Sequence, residues 1–184
     1  ISVLPESATI KVGATQQLTA SVLPNDATDK TYTWSSTATD VATVSADGLV
    51  TAIKAGSATI KATANDGSGV VGECAVTVEN IMPTDITMAT SLGFTVGDEA
   101  KTLTPTFTPA NTTDQTVTWT SSDEAVATVV NGVVTPIGEG TCTVTATSNA
   151  DNSVKAVCNV SVVASTVAVE SVSLPATQDV YFGK

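Results

Sequence analysis

The sequence predicts an all-β protein made of two tandem β-sandwiches and the beginning of a third. Three observations predict this fold class. Apolar and polar residues alternate along short segments, as at residues 18–22 and 74–78. Turn-forming dipeptides such as Asp47-Gly48 lie between these segments. The whole pattern then returns after 84 or 85 residues, which is the length of a domain and not of a solenoid turn.

Each alternating segment is interpreted as a strand with one buried face, because side chains in a strand point to opposite sides in turn. Tyr32 and Trp34 alternate with threonine, and residues 58–63 alternate between apolar and polar. Asp-Gly and Asn-Gly supply the positive φ that a tight hairpin needs. We therefore predict about seven short strands per copy, which is the pattern of a two-sheet sandwich.

The repeat defines the domains. Residues 34–36 return as 119–121, and residues 41–44 return unchanged as 126–129. These matches place the first copy at 1–80, the second at 81–165 and the start of a third at 166–184. Because the pattern begins and stops within a copy, we expect the chain to be part of a longer array.

A recurring set of apolar residues is predicted to form the two cores. Its members occupy equivalent strand positions in the two copies: Trp34 and Trp119, Leu18 and Leu103, and Val44 and Val129. An exposed tryptophan could instead stack on a sugar ring. The alternation favours core packing, because both indoles are in register with other inward-facing positions.

Composition excludes several kinds of chemistry. The chain has no histidine, so it lacks a Ser-His or Cys-His pair and an imidazole base. Its net charge of −11 disfavours nucleic acid and anionic membranes as partners. The sequence lacks an apolar run long enough to cross a bilayer, so direct membrane insertion is not expected. The sequence predicts neither an enzyme nor a cofactor.

Two groups of residues offer possible sites. Cys142 and Cys158 flank the hairpin around residues 149–152, where facing positions permit a cross-strand disulfide. The alternative is two free buried thiols, and it is supported by the first copy, where we expect Cys74 to be free and opposite Ala58. Acidic loop residues could hold calcium, but they lack the spacing of a known calcium loop and are interpreted as turn formers. They are Asp26 with Asp29, Asp98 with Glu99, and Asp123 with Glu124.

The ordered motifs resemble those of the bacterial immunoglobulin-like group 2 domain. In the first copy they are residues 34–36, 41–44, 47–52 and 56–60, and the second copy keeps their order. The resemblance implies an immunoglobulin-like sandwich without catalytic residues, so that the fold class becomes tandem immunoglobulin-like β-sandwiches. The second copy departs in its first strand, where Ser91 to Phe94 replace Ser7 to Ile10 and Ala89 replaces Pro5.

The resemblance implies three kinds of parent protein. The first hypothesis is a spacer, stalk or adhesive module of a bacterial cell-surface protein, located outside the cell. The alternative is a phage tail or capsid module that binds host-surface glycans, and a weaker one is an accessory module of an extracellular carbohydrate-active enzyme. The expected partners are a host-surface protein or glycan and neighbouring modules of the same chain. The short segment around Pro83 predicts a semi-rigid connection between the copies.

Overall fold

The computed structural model describes residues 1–165, and these residues form strands and turns. The all-β prediction is confirmed. The predicted third copy, 166–184, lies outside the described residues. Across the described part, the structure contains no helix of the length and hydrophobicity that a membrane span requires.

The first copy contains nine strands. They are β1 (Ser2–Leu4), β2 (Ser7–Lys11), β3 (Thr15–Gln17), β4 (Thr19–Ser21), β5 (Tyr32–Ser36), β6 (Ala42–Val44), β7 (Leu49–Ala52), β8 (Gly56–Ala64) and β9 (Val71–Glu79). They form a four-stranded sheet of order β2-β9-β8-β5, a three-stranded sheet of order β3-β7-β6 and the pair β1-β4. Residues from all three sheets contribute to one buried cluster, so this copy has its own core.

The second copy repeats this arrangement. Its strands are β10 (Asp85–Thr87), β11 (Ser91–Thr95), β12 (Lys101–Thr102), β13 (Thr106–Thr108), β14 (Val117–Ser121), β15 (Ala127–Val130), β16 (Val133–Pro136), β17 (Gly140–Ser148) and β18 (Lys155–Val163). The sheet orders are β11-β18-β17-β14, β12-β16-β15 and β10-β13. The boundaries 1–80 and 81–165 stay a prediction, although every described sheet draws its strands from 2–79 or from 85–163.

The prediction of about seven strands per copy was too low, because the structure has nine in each copy and two of them lie outside the predicted segments. The predicted first strand is β2, which pairs parallel with β9, and the unpredicted β1 before it pairs antiparallel with β4. The predicted segment 18–22 contains β4, and the unpredicted β3 before Leu18 pairs with β7. A strand that changes sheets must bend at the corner, and the bend interrupts its hydrogen-bond ladder.

Candidate functional site

Each tryptophan contacts residues of its own copy. Trp34 and Trp119 are both half-buried. Trp34 packs against the first core, and its ring meets Tyr32 edge to face with centroids 5.8 Å apart. Trp34 therefore contributes to the packing of the first copy.

A glycine lies directly beneath each indole. A Cβ added at Gly48 would lie 2.7 Å from the Leu18 carbonyl oxygen and 3.0 Å from the Trp34 ring. At Gly132 the corresponding distances to Leu103 and Trp119 are 2.7 and 3.1 Å. Sequence reasoning assigned these glycines only to turns and missed this contact. The sequence did contain one indication of this contact, because the Trp motif and the Gly motif recur together in both copies.

The other predicted core residues differ in burial. Leu18 and Leu103 are 1% and 3% exposed, so both lie in the cores. Val44 and Val129 are only half-buried, because each lies toward the end of a short strand. Ser36, which sequence reasoning did not select, donates a 2.6 Å hydrogen bond from its hydroxyl to the Ala42 carbonyl. Ser121 makes the equivalent bond in the second copy.

The cysteines are free, buried thiols in the structure. The facing partners predicted from the sequence were wrong, because Cys74 faces Ile60 and not Ala58. In the second copy Ser148 N–H donates to the Val154 carbonyl at 3.0 Å, and counting back along both strands places Cys142 opposite Val160. The hairpin thus turns about residue 151 and not residue 150, which leaves Cys142 and Cys158 on the same face without facing each other.

Burial also makes two of these thiols poor nucleophiles. It raises the pKa of Cys74, and it raises the pKa of Cys158 with a smaller contribution from Cys142. A thiol with a raised pKa stays protonated at neutral pH, whereas the thiolate is the reactive form. These cysteines therefore contribute to the cores as small apolar residues.

The acidic loop residues form turns. Asp29 accepts hydrogen bonds from the backbone N–H and the hydroxyl of Thr31, at 2.8 and 2.7 Å. Asp98 accepts one from Thr95 N–H, and Asp123 accepts one from Ala125 N–H. Within residues 1–165, no three acidic or cysteine side chains converge as metal ligands would.

These turns predict how stability responds to acid. Hydrogen bonds from Thr31 lower the pKa of Asp29, and those from Thr116 lower the pKa of Asp114. A carboxyl whose pKa is lowered by folding stabilises the fold at every pH above its unfolded-state pKa of about 3.9. This stabilisation is lost as the pH falls through the lower pKa of the folded state. We expect the urea midpoint to decrease below about pH 4, and to decrease less in the double variant Asp29→Asn with Asp114→Asn. Asparagine accepts the same bonds but does not titrate.

The control is Asp26→Asn, which removes one charge, as each half of the double variant does, from a side chain that accepts no hydrogen bond among residues 1–165. Urea unfolding at pH 5 and pH 2.5 measures the loss for each protein. An unchanged loss in the double variant would contradict the role assigned to these carboxylates.

Comparison with known proteins also finds two consecutive β-sandwich modules in this chain. The family described as bacterial Ig-like domain (group 2) matches residues 1–74 and 75–160. The Ig-like virion protein of Serratia phage KSP90 is 35% identical over 166 residues, which are 88% of this chain and 64% of that protein. An uncharacterized protein of Clostridium acetobutylicum is 35% identical over 150 residues, covering 81% of this chain and 15% of that protein.

An alpha-L-arabinofuranosidase of Bifidobacterium longum subsp. longum is 42% identical over 120 residues, which cover 62% of this chain. The match is only 11% of that enzyme, and the chain spans less than two thirds of each of these three relatives. The similarity therefore concerns a module and not a whole protein. With two matched copies over most of its length, the chain belongs to the bacterial Ig-like domain (group 2) family.

Proposed function

We propose that the chain is a non-catalytic spacer or adhesive module of a bacterial cell-surface protein. One observation carries this proposal: both copies use their distinctive side chains for their own folding. The indoles lie over Gly48 and Gly132, and the carboxylates of Asp29 and Asp114 bond to their own turns. Because these indoles and carboxylates serve the fold, they support a role that depends on the number and length of the modules.

The length of each module supports a spacer. The longest strands, β8, β9, β17 and β18, have nine residues each. Nine residues span about 30 Å at about 3.3 Å per residue, and turns bring one module to about 35–40 Å. Each added module should therefore add a similar increment of reach.

Small-angle X-ray scattering of this chain and of a version with both copies duplicated tests the proposal. We expect the maximum dimension to increase by about 35–40 Å for each added module. A maximum dimension that grows only slightly after duplication would reject the spacer role. A Leu4→Ala variant of each protein, altered at an exposed side chain, serves as the control.

A second candidate function is a module of a phage particle. It is favoured by the 35% identity to the Ig-like virion protein, which extends over 88% of this chain. Immunogold labelling with an antibody raised against this chain separates the candidates, since label falls on cells in one case and on purified particles in the other. The arabinofuranosidase match supports a third candidate, an accessory module of an extracellular enzyme. In that case the antibody would recognise a secreted glycosidase.

A further inference from the structure

A groove of about 610 Å³ lies on the outer face of the four-stranded sheet in the second copy. We call it the Gly93 groove. The residues that matter here are Ser91 and Gly93 on β11, Thr141 and Thr143 on β17, and Asn159 and Ser161 on β18. They face outward, because they alternate with buried residues such as Phe94 and Val160.

The lining residues of the groove carry no charge, and they expose hydroxyl and amide groups beside apolar surface. Thr143 N–H donates to the Ser122 hydroxyl at 2.9 Å, which fixes one wall. Within the described part of the chain, the hydroxyls of Thr141, Thr143 and Ser161 make no hydrogen bond to other residues. The Asn159 amide makes only a long one of 3.4 Å to the Thr90 carbonyl. These groups are therefore available to a ligand.

The first copy provides a natural comparison. Its equivalent depression is bounded by Thr37, Ser57, Thr59 and Thr77, and its volume is about 200 Å³. The strand registers are the same, because Thr9 pairs with Thr77 as Gly93 pairs with Ser161. The second copy thus has glycine in place of Thr9, and Asn159 in place of Ala75. The first difference removes a side chain, and the second adds an amide.

Gly93 has no evident role in the fold. Its φ lies outside the left-handed range, and an added Cβ would meet no atom within 4 Å. A glycine within a strand weakens that strand, because it packs nothing and loses more conformational freedom on folding. A strand glycine of this kind often marks a place where a ligand approaches the backbone closely.

We propose that the Gly93 groove binds a neutral saccharide chain. Hydroxyls and an amide can exchange hydrogen bonds with sugar hydroxyls. An acidic ligand would meet no positive lining residue and a chain of net charge −11. An extended peptide would instead add to the edge of β11, where Lys101 Nζ already donates to the Gly93 carbonyl at 2.6 Å.

The groove is open, so we expect weak binding, with a Kd on the order of 1 mM. This inference deepens the adhesive part of the proposed function and rests on it, but it is independent of the spacer part, because an array would extend equally well with the groove empty. Scattering tests the spacer, and ligand binding tests the groove. Failure of one leaves the other standing.

The test is an NMR titration of the ¹⁵N-labelled chain with xylotetraose, mannotetraose and N,N′,N″-triacetylchitotriose, each to about 20 mM, well above that Kd. We expect at least one sugar to shift the amide signals of Gly93, Thr143 and Asn159. The equivalent amides of Thr9, Thr59 and Ala75 should be unaffected and serve as the internal control. The absence of saturable shifts with all three sugars, or equal shifts in both copies, would overturn the proposal.

Two variants restore the residues of the first copy. Gly93→Thr should weaken binding at least tenfold and raise the Tm of the second copy by about 3–6 °C, because threonine suits an exposed strand. Asn159→Ala should weaken binding several-fold with little change in Tm. The matched control, Thr9→Ser in the first copy, should leave binding unchanged. Unaltered binding by Gly93→Thr would also overturn the proposal.

Discussion

Replacing Gly48 with alanine should destabilise the first copy by about 2–4 kcal/mol, because two costs add at this residue. Gly48 has a φ of +80°, which L-residues rarely adopt. The new Cβ would also lie 2.7 Å from the Leu18 carbonyl oxygen and 3.0 Å from the indole of Trp34. Neither the backbone oxygen nor the packed ring can move away freely. Gly132→Ala should have a similar effect on the second copy.

Gly67→Ala is the matched control. Gly67 has nearly the same φ, +81°, but an added Cβ would have no atom within 4 Å. Gly67→Ala should therefore lower the free energy of unfolding by only about 1 kcal/mol, because it introduces the unfavourable φ without the steric contacts. Urea unfolding followed by Trp34 fluorescence, in a Trp119→Phe background, measures both variants. Equal losses for Gly48→Ala and Gly67→Ala would show that contact with the indole contributes nothing.

Leu18→Ala should destabilise the first copy by about 3–5 kcal/mol. Leu18 is 1% exposed, and its backbone N–H donates to the Gly48 carbonyl at 2.9 Å, so the neighbouring chain is held in place and cannot close a cavity easily. A domain of this size has a total stability of only about 4–12 kcal/mol. The variant should therefore be largely unfolded at moderate temperature or in low urea.

Leu4→Ala is the control for this change. Leu4 is 58% exposed, so the same truncation should alter stability by less than about 0.5 kcal/mol. Leu103→Ala, at 3% exposure, should reproduce the large loss in the second copy. Calorimetry of the three variants checks the expectation. A loss in Leu18→Ala no greater than that in Leu4→Ala would mean that Leu18 does not hold the core.

Local patterns were enough to predict much of the fold. Alternation identified β8, β9, β17 and β18, since a period of two depends only on adjacent residues. Asp47-Gly48 and Asn131-Gly132 both turn with the positive φ that was expected of them. These features could be predicted because each is encoded within a few consecutive residues.

Pairing between distant strands could not be predicted in this way. An error of one residue in the centre of a hairpin changes every facing pair, and it displaced the predicted partners of Cys74, Cys142 and Cys158. Alternation also gave no indication of β1, which precedes the first predicted strand and belongs to a different sheet. The assignment of β1 and β2 to different sheets depends on where β4 and β9 lie, which no short segment of sequence specifies.

The amino-acid pattern alone establishes a tandem all-β protein of this family, because repeats, periodicity and turn dipeptides are local or self-similar features. The folded chain is needed to assign the roles of individual residues. Gly48 meets Trp34, and Gly93 lies beside Asn159 and Ser161, only after strands far apart in sequence have paired. The parallel pairing of β11 with β18 joins Ser91 to Asn159, and the sequence contains no local record of that contact.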